Sequence, residues 1–209
     1  SLAEIIRHRF THAAATLREL FGRLAFYILC GNTDDHARKH AAFWDGEALA
    51  LTPAYDICPQ GRTGNEATQA MLITDQDRMS RISTCLGAAG HFLLSREEAL
   101  GIVEHQLRTL IAHWEDVCDE AALSPVDRAF LWGRQFLNPF AFFHESGHLL
   151  VSAFVHSHGG GEPVGDFLRG CLGAVEMGAE RRRNRQREGR AVDGDEPRQQ
   201  VATHQARQV

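Results

Sequence analysis

The feature that most constrains this chain is a polar loop set between apolar segments: C-G-N-T-D-D-H-A-R-K-H, from Cys30 to His40, within a stretch that runs on to Pro59. Asp34, Asp35, His36, Arg38, Lys39 and His40 crowd it, and charged groups of this density enter a core only when paired. The run before them has the opposite character. Thr11 to Cys30 places Leu17, Leu20, Phe21, Leu24, Ile28 and Leu29 at the i, i+3, i+4, i+7 spacing of one helix face, with Arg18, Glu19 and Arg23 on the other side. A packed helix therefore delivers the chain through Gly31-Asn32 into the loop, and loops held by packed elements are where chemistry concentrates.

After the loop, Ala41 to Trp44 and Ala48 to Leu51 read as two short strands around Asp45-Gly46, a D-G pair suited to a type I′ hairpin. Such a hairpin reverses the chain. It returns Asp56, in Y-D-I, towards Asp34, so that two carboxylates flank one position. The segment C-P-Q-G-R-T-G-N-E-A-T-Q-A-M follows, broken by Pro59, Gly61 and Gly64, and Arg62 is the one side chain in it suited to a phosphate.

From Ser80 the chain reads as helical, roughly over 80–87, 95–118 and 124–136. Ser95 precedes Glu98 at capping-box spacing, and Ser124 precedes Asp127 with Pro125 at the first helical position. Leu100, Val103, Leu107, Leu110, Ile111 and Trp114 give the long helix its apolar face. His105 and His113 lie off that face and read as solvated.

Of the 209 residues, 44% are hydrophobic, enough for one domain with an appendage. The net charge of −5 is uneven: from Arg181 onward eight arginines face four acids, leaving about −9 for the rest, so the body is not a nucleic-acid binder by charge. Five widely spaced cysteines, Cys30, Cys58, Cys85, Cys118 and Cys171, contain no C-x-x-C pair and suggest neither a disulfide framework nor a zinc ribbon. No run of about 18 apolar residues and no signal peptide is read, which points to a cytoplasmic protein with no membrane partner. The chain opens with Ser rather than Met, in what reads as the middle of a domain.

G-N-T-D-D-H-A-R-K-H-A-A-F-W-D-G, L-T-P-A-Y-D-I and L-W-G-R-Q-F-L-N-P together resemble the C-terminal lobe of HipA-type serine/threonine kinases, the toxins of type II toxin-antitoxin modules. The resemblance covers roughly residues 1–140. It implies a mainly α fold, a helical kinase-like lobe with a small β-hairpin after the catalytic loop, and an N-terminal lobe that this sequence does not include. It also implies Mg²⁺ and ATP as cofactors, Asp34 as catalytic base, His36 as the loop's structural histidine holding it through side-chain hydrogen bonds, and Asp56 as the metal-binding Asp. A HipB-type antitoxin is the implied partner, and an aminoacyl-tRNA synthetase an implied substrate.

The sequence departs from that family at Lys39, which stands where the metal-binding Asn belongs. An amide oxygen is a metal ligand, whereas an ammonium has three donors and no acceptor. Lys39 is also the only lysine beside 21 arginines. Either it substitutes a fixed charge for a metal ion near the phosphates, or it marks a degraded copy. In both cases kinase activity is expected to be impaired, and a non-catalytic binding module that engages the antitoxin is the alternative function.

Residues 141–209 are read as an appended segment, partly helical and then a disordered Arg-rich tail, of the kind a frame-shifted or fused terminus gives. Within it His144-Glu145-Ser146-Gly147-His148 matches H-E-x-x-H, which would offer zinc His144 and His148 with Glu145 as general base, a zinc metallopeptidase-like site and the further alternative function. The metzincin continuation is missing, because Val151 and Phe154 stand where Gly and His are required. The match reads as fortuitous, and zinc is not expected.

Overall fold

A computed structural model describes residues 1–61, 64 and 66–142. The hydrophobic stripe predicted for the first long helix is what the fold is assembled on. Helix α2 (Ala13–Cys30) buries Leu17, Leu20, Phe21, Leu24, Ile28 and Leu29, each worth about 1.5–3 kcal/mol of transfer free energy when fully buried. Helix α1 (Leu2–Arg9), α3 (Ile82–Gly87) and the long α4 (Arg96–Glu120) all pack against it, and α5 (Pro125–Leu131) follows α4. Phe92, on a 3₁₀ turn after α3, meets Phe21 edge to face at 5.5 Å between ring centroids. The fold is thus mainly α, with a two-stranded antiparallel sheet, β1 (Ala42–Trp44) and β2 (Leu49–Leu51), inserted after the polar loop.

The capping signals place the helix starts. Ser95 and Glu98 form a reciprocal capping box at the head of α4, and the Ser124 side chain accepts from Asp127 N–H with Pro125 at the first turn of α5, contributions of about 1 kcal/mol each. Helix α1, for which no element is expected from the sequence, carries the same signature in Ser1 and Glu4. As expected, α4 buries Val103 and Leu107 and leaves His105 and His113 exposed.

Four expectations change. The hairpin is not a two-residue type I′ turn: Trp44 pairs with Leu49 across a four-residue loop, and Asp45 lies outside the positive-φ region. Its carboxylate instead accepts from the backbone N–H of Glu47 (2.9 Å) and Ala48 (2.8 Å), a local bond that wins over the I′ geometry. The third helix is shorter than 80–87, beginning only at Ile82. Helix α5 stops at Leu131 rather than near Phe136, because Trp132 and Phe136 turn back to stack on Trp114 at 4.8 and 5.1 Å. Arg23, assigned to the solvated face of α2, is buried, its guanidinium bonded to Glu19 and to the Thr52 carbonyl of the returning segment. Among the described residues no helix is long and apolar enough to cross a membrane. The H-E-x-x-H motif, the Arg-rich tail and Arg62 lie outside the described residues.

The end of α2 is closed by Gly31 at φ +74°, in a Schellman pattern with Asn32 N–H donating to the Tyr27 carbonyl at 2.9 Å. A Cβ at Gly31 would lie 2.6 Å from the Gln135 carbonyl oxygen. Gly31→Ala is therefore expected to cost about 2 kcal/mol or more in chemical denaturation. Gly101→Ala, mid-helix in α4 with open space around its Cβ, should instead stabilise by about 0.5–1 kcal/mol.

Burial pushes the Cys30 thiol up to about 11 and the Cys85 thiol higher, whereas Cys58 is exposed. Since the thiolate is the nucleophile, iodoacetamide at neutral pH should modify Cys58 in the native protein and reach Cys30 and Cys85 only after denaturation, as read by peptide mapping.

Candidate active site

The Schellman end of α2 sends the chain into the polar loop at a fixed angle, and three backbone bonds then hold its course. Ala70 N–H donates to the Thr33 carbonyl (3.1 Å), Gln60 N–H to Gly31 (3.0 Å), and Lys39 N–H to His36 (2.8 Å). The last closes a 3₁₀ turn over Ala37–Lys39, which doubles the chain back so that residue 39 faces Asp34. On the far side of the hairpin, Thr52 N–H donates to the Ala41 carbonyl at 3.0 Å, and the Tyr55 hydroxyl donates to the Arg38 carbonyl at 2.9 Å. These two bonds bring Asp56 against the loop. Asp56 sits at φ +55°, a left-handed conformation that Asp tolerates better than most residues.

The result is one three-membered cluster. The Lys39 ammonium lies 2.9 Å from Asp34 Oδ2 and 2.9 Å from Asp56 Oδ2. Lys39 is 7% exposed, while the two carboxylate side chains are 50% and 60% exposed. The cation is thus the interior member and the carboxylates its open rim. Its hydrogen bond is the main cause holding the Asp34 carboxyl below the usual range, and bonds from Asp34 and then Asp56 raise the Lys39 ammonium.

The structure brings Asp34, Lys39 and Asp56 together, but the side chain of His36 makes no hydrogen bond that would hold the loop. Its Nε2 is 3.9 Å from Asp34 Oδ1, too long for a hydrogen bond, and its Nδ1 is buried with no hydrogen-bond partner among the described residues. The histidine that bonds is His40, whose Nε2 is 2.8 Å from Asp35 Oδ1, both side chains almost fully buried. This pair borders a cavity of about 380 Å³ lined also by Leu20, Leu24, Met71 and Phe92. Asp35 and His40 sit five residues apart in the same loop, as Asp34 and Lys39 do, and that parallel spacing is the signal that could have found them.

The donor set does not fit magnesium between the two aspartates. That ion demands oxygen ligands at about 2.0–2.1 Å in near-octahedral array, and side chain 39 brings no lone pair. Its ammonium already occupies the position between the carboxylates, and at about 4 Å it would repel a divalent cation by several kcal/mol.

The described residues thus form a mainly helical unit in which a loop after a long helix and a short hairpin bring two aspartates to one point. The HipA-like C-terminal domain family model matches residues 1–121, more than half of the chain. The protein belongs to that family. Comparison with curated proteins and with solved structures found no match.

Asp34 is depressed in the folded state, so it contributes stability above the unfolded value of about 4 that is lost as pH falls through its lowered folded value. Lys39→Met removes the cause. Carboxyl-detected NMR titration should show the Asp34 midpoint rising in that variant towards or above the ordinary range.

Proposed function

We propose that this protein carries a HipA-type phosphotransferase site built on Asp34, Lys39 and Asp56, held by Lys39 in a weakly active state. The observation that carries the reading is the Lys39 ammonium bonded to both aspartates. In the transfer, a substrate hydroxyl gives its proton to Asp34 Oδ1, the oxygen that the ammonium leaves free. The hydroxyl oxygen bonds the terminal phosphorus of ATP, the bond to the bridging oxygen breaks, and ADP leaves.

The ammonium weakens this chemistry. It lowers the basicity of Asp34, and general-base efficiency falls as the catalytic group's pKa drops far below the working pH. Magnesium, which elsewhere in such chemistry neutralises the phosphates, does not fit between these two aspartates, so no step is assigned to it. His36 is not given a chemical part. By family resemblance the setting is a toxin-antitoxin module in the cytoplasm, with a HipB-type antitoxin as partner and a protein such as an aminoacyl-tRNA synthetase as substrate.

The locked aspartates also favour a second reading, a binding module that engages the antitoxin without transferring phosphate. Phosphotransfer from labelled ATP, measured on the protein containing this chain, separates the two. On the first reading wild-type turnover is low but real, Asp34→Ala lowers it about 100-fold or more, and Lys39→Asn raises it about tenfold or more. Wild-type turnover equal to that of Asp34→Ala, together with co-purification of the antitoxin, would establish the binding module.

A further inference from the structure

The geometry points to Lys39 as the permanent internal cation of this site: its ammonium takes the place between Asp34 and Asp56 that a divalent metal would fill, and the loop keeps its form without metal. The inference rests on reading this loop as the HipA-type site, but it concerns cation binding and not phosphate transfer.

Three observations carry it. First, the two bonds are equal, 2.9 Å to one oxygen of each aspartate, so the charge is shared between the carboxylates and not committed to either. Two carboxylates brought to one point repel unless a cation lies between them or one of them takes up a proton, and here the ammonium is the group between them. Second, Lys39 is buried while both aspartates are at least half exposed. A surface lysine that had drifted into contact would show the reverse, with a free head in water. Third, the main chain is arranged to present this residue, because the Ala37–Lys39 turn and the Tyr55 bond to Arg38 fix both sides of the bridge.

The residue type suits the task. An ammonium is a compact point charge with three donors directed around it, and two of them meet the aspartates. An arginine fork would favour bidentate pairing with one carboxylate. The protein carries 21 arginines and a single lysine, and the lysine is at this position.

Metal binding is the direct test, with Mn²⁺ as the probe, followed by its electron paramagnetic resonance signal and by thermal unfolding in Mn²⁺ or in chelator. The wild-type protein should show no saturable Mn²⁺ site in the low millimolar range and the same unfolding temperature in both conditions. Lys39→Asn, which supplies an amide oxygen and removes the charge, should gain a Mn²⁺ site at least about tenfold tighter than any in the wild type, and its unfolding temperature should rise when Mn²⁺ is added. Lys39→Met should likewise be less stable in chelator than in Mn²⁺. If wild-type protein binds Mn²⁺ as tightly as Lys39→Asn, or if neither variant gains binding, the inference is overturned. The wild-type measurement stands even where a variant fails to fold. Because no turnover is read, a failure of the phosphotransfer reading leaves these outcomes unchanged, and the converse holds too.

Discussion

The structure depends on how α2 ends. Its stripe of leucine and phenylalanine forms the core, and the same helix must stop abruptly so that a charged loop can begin outside that core. Gly31 makes the stop possible by taking a left-handed φ with no Cβ against the Gln135 carbonyl. Two distant segments then bond to this point: Leu137 N–H donates to Leu29 at 2.7 Å, and Gln60 N–H to Gly31 at 3.0 Å. The Leu29 carbonyl, left over by the helix terminus, and the Gly31 carbonyl just beyond it thereby position the chain on both sides of the site.

From that anchor the site is assembled by backbone bonds and closed by one charge. The hairpin is too short to be stable alone, and its outer residues Phe43 and Trp44 are exposed. It is held by its attachments: Arg23 reaches from α2 to the Thr52 carbonyl, Thr11 N–H donates to Leu49, and Tyr55 ties to Arg38. These contacts bring Asp56 to the loop. Lys39 then supplies the positive charge that lets Asp56 and Asp34 stay together, at the expense of the base strength of Asp34.

The neighbouring Asp35 and His40 show how differently two adjacent pairs of one loop can be placed. Asp34 and Lys39 make a bridge whose carboxylate is open to solvent; Asp35 and His40, one residue further along at each end, make a bond turned inward beside an apolar cavity. The 3₁₀ turn between them sets this division. The inward pair ties two points of the loop together out of solvent, and the outward pair leaves its carboxylate in water.

By itself the sequence determined the helices α2 and α4, the capped starts of α4 and α5, the presence of a hairpin and the polar loop that carries Asp34 and Lys39. These are local quantities, fixed by apolar periodicity, by Ser-x-x-Glu spacing and by residue type in a loop, so neighbouring residues suffice to read them. The tertiary structure alone decided that His40 and not His36 holds the loop, that Arg23 is buried, that α5 ends where Trp132 and Phe136 meet Trp114, and that the ammonium is shared equally by both aspartates. Each of these depends on a partner 5 to about 30 residues away whose direction is set by the packing of α2, α4 and the hairpin, and no periodicity within one segment carries that direction.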